Sequence, residues 1–319
     1  MRGLWLQNGT LTLRDDLPAP EALPGEALVQ VLRAGICATD MEMMRGYYPF
    51  EGILGHEFVG RVVQGPEALI GHRVVGEINA SCHDCSECDA GRHRHCIRRT
   101  VLGIAGRNGA FAEYLTLPEA NLHLVPDRLE NDQAVFVEPL AAALRITEQL
   151  ELLPADRVLV VGDGKLGQLV ARALLSSGCP PTVLGRHEDK LELLRELGLE
   201  VVLSTADSRF DVTIDCTGNP GGFAAARAAL RPQGTLVLKS TYAGELTVNA
   251  SSWAVDEITI IGSRCGPFGP AIDRLASNAI DVSPLIAAHY SLERGLEAFE
   301  HASRRGTLKV LVNVSPSTS

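Results

Sequence analysis

Cys82, Cys85, Cys88 and Cys96 follow one another as C-x2-C-x2-C-x7-C, and no other feature restricts the fold as strongly. Four thiolates that close in sequence suit one tetrahedral zinc whose every position is filled by protein. Such a site leaves no place for a substrate, so its work is to hold a loop in shape. The segment 82–100 has no apolar period, which predicts a lobe projecting as a loop from the domain that carries it. The chain has eight cysteines in 319 residues. A disulfide scaffold belongs to short secreted chains, so this usage fits a reducing compartment. Cys179, Cys216 and Cys265 are scattered and read as small buried apolar residues.

The length suits two domains better than one core. A formal net charge of −10 argues against nucleic acid or an anionic membrane surface as a partner. No apolar run approaches the ~20 residues that span a bilayer. The stretch MRGLWLQNGTLTLRDD has no apolar core of a signal peptide, so a cytoplasmic location is expected.

Up to about residue 140 the sequence reads as β-rich. LTLRDDLP, GEALVQVLRAG, FVGRVVQG, GHRVVGEI and AFAEYLTLP are short alternating or β-branched runs broken by Gly and Pro. The character then changes. AAALRITEQLELL has helical spacing, and strands and helices alternate after it: RVLVVG, GKLGQLVARALLSSG, TVLG, HEDKLELLRELG, EVVL, DVTIDCTG, FAAARAALRPQG, GTLVLKS and EITIIGSRCG. Short apolar strands alternating with helices predict a parallel sheet covered on both faces. GPAIDRLASN and LERGLEAFEHASR then read as helices. LKVLVNV reads as a closing strand that returns to the first domain.

Gly162, Asp163, Gly164, Lys165, Leu166 and Gly167 form a G-x-G-x-x-G loop after a predicted strand and before a predicted helix, the context a dinucleotide site requires. Gly162 serves the tight turn, Gly164 the approach to a pyrophosphate, and Gly167 the packing of helix on strand. At the end of the second strand an acidic residue would accept the ribose 2′-hydroxyl of NAD. This chain has Gly185, Arg186 and His187 there instead. Arg186 suits a 2′-phosphate, so the reading leans to NADP, with NAD as the alternative if Glu188 or Asp189 meets the ribose.

A second metal that does chemistry has candidate ligands in Cys37 of AGICATD, His56 of LGHEFVG and Glu138 of FVEPLA. GICATD, GHE, the Cys82–Cys96 lobe, GAFAEY, VEPLAAAL and GDGKLG stand in the order found in zinc-dependent medium-chain dehydrogenases. The chain resembles the alcohol, polyol and threonine dehydrogenases of that family over its whole length. The resemblance implies an α/β protein: a GroES-like β-rich catalytic domain over 1–138 and 267–319, with a structural zinc lobe at about 82–96, plus a Rossmann doubly wound parallel-sheet domain over 139–266. It implies two zinc ions per chain. Cys37, His56 and Glu138 match the catalytic ligands, and Cys82, Cys85, Cys88 and Cys96 the structural ones. Glu57 matches a carboxylate close to the metal, and Thr39 the hydroxyl that begins a proton relay. Many relatives have a histidine five residues after the first ligand; this chain has Glu42. Thr217 and Gly218 should lie beside the adenosine, and Ser240, Thr241, Ser263 and Arg264 near the nicotinamide. Lys309 should reach the pyrophosphate. The implied reaction exchanges a hydride between NAD(P) and a secondary alcohol or polyol, or the matching carbonyl, in a homodimer or homotetramer. The rival readings are zinc-free quinone or enoyl reductase chemistry and an NADPH-binding sensor without turnover.

Overall fold

The computed structural model describes residues 1–205, 209–241 and 245–315. They form two compact units, Met1–Glu138 with Ala271–Ser319, and Pro139–Pro270. The second boundary falls a few residues beyond the expected position of 266, inside a helix that runs Phe268–Ala276.

In chain order the first unit supplies β1 (Glu26–Gly35), α1 (Ala38–Met44), β2 (Glu57–Gln64), β3 (Arg73–Gly76), β4 (Tyr114–Pro118) and β5 (Leu122–Leu124). Helix α2 spans Val137–Gln149. The second unit follows with β6 (Val158–Val161), α3 (Lys165–Ser176), β7 (Thr182–Leu184), α4 (Glu188–Arg195), β8 (Val201–Val202), β9 (Phe210–Asp215), α5 (Pro220–Ala229), β10 (Leu230–Leu238) and β11 (Thr259–Gly262). After α6 (Phe268–Ala276), the chain returns to the first unit with β12 (Ile286–Ser291), α7 (Gly295–Ser303) and β13 (Lys309–Asn313).

The main sheet of the first unit has the order β5-β3-β2-β1-β13-β12, and β4 also pairs with β1. Strand β1 is long enough to serve two neighbours on one edge. Its residues 26–30 pair with β4, and Arg33–Gly35 pair with β13. The period of two in EALVQV puts Ala27, Val29 and Val31 wholly inside. LKVLVNV does return to this unit, as β13 between β1 and β12. Several of the unit's strands were not legible, among them Gly3–Gln7 and β12. Gly3–Gln7 forms a hairpin with Thr10–Arg14, and β12 pairs in parallel with β13.

The second unit is a six-stranded parallel sheet in the order β8-β7-β6-β9-β10-β11. This is a doubly wound order. The direction of winding reverses between β6 and β9, where ligands of such sheets bind at the carboxyl ends of the strands. All four residues of β6 are buried, as expected for a central strand covered on both faces. The helix read through FAAARAALRPQG stops at Ala229, because Leu230 already begins β10 and Phe210 pairs with it. Among the described residues no helix is long and apolar enough to cross a membrane.

Candidate active site

The segment GICATD builds the first half of the site by local geometry. Cys37 caps α1, and Asp40 stands three residues later in its first turn. Asp40 Oδ2 accepts the Cys37 backbone N–H at 2.8 Å. Its other oxygen, Oδ1, lies 3.3 Å from His56 Nδ1. Asp40 is fully buried, so one carboxylate fixes the backbone of Cys37 and the ring of His56 together. With Nδ1 turned to Asp40, Nε2 is the ring atom left to a metal. His56 comes from the turn that leads into β2, and Glu57 is the first residue of that strand.

Cys37, His56 and Glu57 each bring one ligand atom within 4.8 Å of the others. A cysteine, an imidazole and a carboxylate, the first half-buried and the other two buried, form a donor set that suits zinc with an open position. The charge balance agrees. Burial alone would lower His56, but Asp40 and Cys37 outweigh it and hold the imidazole well above its ordinary range. The ammonium of Lys309 already meets Glu57, so the carboxylate that faces the imidazole is that of Asp40.

Glu138, expected as the third ligand, stands half-buried in the first turn of α2, and Glu57 is the carboxylate grouped with Cys37 and His56. One expectation needs correction. Lys309 was expected on the pyrophosphate. It is 2% exposed instead, and its ammonium is paired with Glu57. Lys309 opens an inner strand, β13, where a lone cation would be costly. Burial lowers Lys309, but Glu57, Cys37 and Glu138 outweigh it and raise it above its ordinary value. The Phe136 ring lies 5.7 Å from the same ammonium.

Thr39 Oγ1 sits 3.7 Å from Cys37 Sγ, so its hydroxyl is at the cluster. Glu42 is turned to Arg45, whose Nη1 donates to it at 2.5 Å.

The four-cysteine lobe is built as the spacing demands. Sγ–Sγ distances are 3.6 Å for Cys85–Cys88, 3.8 Å for Cys85–Cys96 and 3.4 Å for Cys82–Cys96. Four thiolates about 2.3 Å from one zinc stand roughly 3.8 Å apart in a tetrahedron. A disulfide would need about 2.05 Å, and all eight cysteines are free. Backbone N–H groups of Cys88 and Ile97 lower the Cys85 thiol to about 6, which favours the thiolate a metal binds. The lobe is not plain loop: Ser86–Asp89 makes a turn of helix capped by Cys85, and His93–His95 a 3-10 turn.

In the second unit, Gly162 follows β6 with φ of +115°. Gly164 caps α3, and a Cβ there would meet nothing within 4 Å, which leaves the loop open to a ligand. A Cβ on Gly167 would collide with the Gly162 carbonyl oxygen, so only glycine lets α3 leave the strand so closely. Lys165 and Leu166 form the first turn of α3, whose N-terminal amides suit a pyrophosphate. Gly185 and Arg186 follow β7, Thr217 and Gly218 follow β9, Ser240 and Thr241 follow β10, and Ser263 and Arg264 follow β11. Every dinucleotide-site residue expected in this unit thus lies at a carboxyl end of its parallel sheet. Lys239, missed by sequence reasoning, is buried among them and donates to Ser263 Oγ at 3.3 Å and to the Arg264 carbonyl at 2.8 Å. A lysine closing an apolar strand, LVLKS, was the available signal.

Known proteins match this arrangement along the chain. The alcohol dehydrogenase GroES-like domain model matches residues 23–127, and the zinc-binding dehydrogenase model matches 166–278. An L-threonine 3-dehydrogenase of Streptomyces avermitilis is 32% identical over 97% of this chain and 96% of its own length. The chain belongs to the zinc-dependent medium-chain dehydrogenase family. Among solved structures, a provisionally named zinc-binding dehydrogenase of Sinorhizobium meliloti 1021, bound to NADP, superposes with a TM-score of 0.89 at 27% identity, covering 98% of this chain and 99% of the other. An alcohol dehydrogenase of Escherichia coli CFT073, complexed with NADH, gives 0.88 at 25% identity, with 98% and 99% covered. This dehydrogenase is therefore a zinc-type oxidoreductase.

In this dehydrogenase Asp40 positions a ligand, which sequence alone did not show. Such carboxylates orient the imidazole and raise its basicity, and their loss costs about 10–100-fold in metal affinity. Asp40→Asn is expected to weaken zinc at the Cys37–His56 cluster by about that factor. Competition with a chelating dye checks it; the Cys82–Cys96 zinc should be unaffected.

Proposed function

We propose that this dehydrogenase oxidises a secondary alcohol, a polyol or an amino alcohol and reduces the matching ketone, using two zinc ions per chain and a nicotinamide dinucleotide, with a lean to NADP. The observation that carries the reading is the cluster of half-buried Cys37 with buried His56 and Glu57, in a chain that also holds the glycine loop. Cys37 and His56, with the carboxylate of Glu57 or Glu138, would hold the reactive metal, and Cys82, Cys85, Cys88 and Cys96 the structural one. When bound, the reactive zinc supplies Lewis acidity toward the substrate oxygen.

The chain's own residues do the rest. Asp40 holds Cys37 and His56 in one geometry. Thr39 puts a hydroxyl beside Cys37, where it is placed to hydrogen-bond the substrate alcohol at the start of a proton relay. Lys309 pairs with Glu57 and holds it in place. The glycine loop and the first turn of α3 bind the pyrophosphate. Exposed Arg186 has no ion-pair partner among the described residues and suits a 2′-phosphate. The reading includes assembly as a homodimer or homotetramer, because β11 is an edge strand of its sheet and open to pairing with a second copy.

The test is a rate panel in zinc-replete buffer. It follows reduced-nicotinamide absorbance with secondary alcohols, polyols and threonine-like substrates, each with NADP and NAD. Turnover of one of these classes is expected. Silence on every class, with the cofactor bound, would remove the substrate assignment.

A further inference from the structure

The carboxylate of Asp163 fills the place at the end of β7 where the adenosine ribose of a dinucleotide is read. We propose that Asp163 sets the NAD-to-NADP ratio by opposing the 2′-phosphate that Arg186 attracts. The inference rests on the dinucleotide reading above and refines it.

In a doubly wound sheet the residue at the carboxyl end of the second strand meets the ribose, and an acidic side chain there accepts its 2′-hydroxyl. Here that residue is Gly185, the first after β7. It has no side chain, yet the space beside it is taken. A Cβ on Gly185 would lie 2.7 Å from Asp163 Oδ2 and 2.9 Å from Asp163 Cβ. A carboxylate therefore reaches the end of the second strand from the glycine loop of the first, and Gly185 is what lets it in.

Asp163 is firmly held there. Its Oδ2 accepts the backbone N–H of Arg186 at 2.6 Å and of His187 at 2.8 Å, and His187 Nδ1 lies 2.9 Å from Oδ1. Asp163 is 5% exposed. Burial pushes its carboxyl up, but the Arg186 amide and His187 outweigh this and hold it below the usual carboxylate range. It is an anion at neutral pH.

Two consequences follow for a 2′-phosphate. The backbone amides at the start of α4 are donors that a phosphate would use, and Asp163 has already taken them. The phosphate would also bring its charge beside a buried carboxylate of the same sign. Glu188 and Asp189 add exposed negative charge at the start of α4, although Glu188 is paired with Arg195. Arg186 acts in the opposite sense, with an exposed guanidinium whose planar fork matches a phosphate. Arg186 attracts the 2′-phosphate and Asp163 resists it, so the chain takes both nucleotides with only a modest preference for NADP.

The experiment titrates NADH and NADPH into the intact, zinc-loaded protein and follows nicotinamide fluorescence. It compares the unaltered chain with Asp163→Ser, Asp163→Asn and Arg186→Ala. The unaltered chain should bind the two nucleotides within about tenfold of each other. Asp163→Ser, which frees both amides, should raise NADPH affinity relative to NADH at least about tenfold. Asp163→Asn removes the charge, keeps the size, and should shift the ratio the same way. Arg186→Ala should move it toward NADH. If both Asp163 variants weaken the two nucleotides in step, Asp163 is only a structural brace and the inference falls. A shift toward NADH in those variants also overturns it. Absence of binding of either nucleotide to the unaltered chain would instead overturn the dinucleotide reading, and the inference with it.

Discussion

His56→Ala is expected to lower kcat/KM by at least about a thousandfold, or roughly 4 kcal/mol of transition-state stabilisation. His56 is 4% exposed, with Nδ1 toward Asp40, and shares its cluster with Cys37 and Glu57. Removing the imidazole leaves a thiolate and a carboxylate, too few donors to hold a zinc that must also keep an open position. The Lewis acid is lost, and it supplies several kcal/mol toward charge on the substrate oxygen. Zinc measured after gel filtration should fall from about two to about one per chain. The far-ultraviolet circular dichroism should stay unchanged, because the main sheet does not depend on that side chain. A variant that keeps its rate and its second zinc would show that the reactive metal is elsewhere.

Cys85→Ser is expected to act on stability first. Its Sγ lies 3.6 Å from that of Cys88 and 3.8 Å from that of Cys96, so it is one corner of the tetrahedron. A structural zinc contributes folding energy directly, and losing such a metal belongs with the largest single-residue effects, about 4 kcal/mol or more. At roughly 2–4 °C per kcal/mol, the melting temperature should drop by about 10 °C. Calorimetry checks the shift, and metal analysis should show the loss of one zinc. The unaltered protein treated with a strong chelator should show a similar drop. An unchanged melting temperature would mean that the lobe holds its shape without metal. The two variants separate the metals, since His56→Ala removes rate and Cys85→Ser removes stability.

What the sequence revealed follows sequence distance. The Cys82–Cys96 lobe and the Gly162–Gly167 loop are local, so spacing alone carried their chemistry. The alternation in EALVQV and the apolar run VLVV carried the two sheets for the same reason. Contacts across long stretches of chain were hidden. Asp40 reaches His56 across 16 positions, and Lys309 reaches Glu57 across 252. No pattern in either segment announces such a partner. Lys309 was therefore read by analogy and placed on the cofactor, whereas burial beside Glu57 decides its position. Strand β12, IAAHYS, was missed because its small and polar residues alternate weakly, from half-buried to exposed. Asp163 stood in the expected loop, but its reach to Arg186 and His187 depends on two strands lying side by side.

The place of β13 in the main sheet sets an order of events during synthesis. Its neighbour β1 leaves the ribosome early, and β13 follows only after all of the Rossmann unit has been made. At about 5–20 residues per second, Glu57 waits roughly 13–50 s for Lys309. Until then the metal cluster has an unneutralised carboxylate, and β1 has an open edge. The parallel-sheet unit is contiguous in the chain, so all of its strands have been made before β13 appears beside β1.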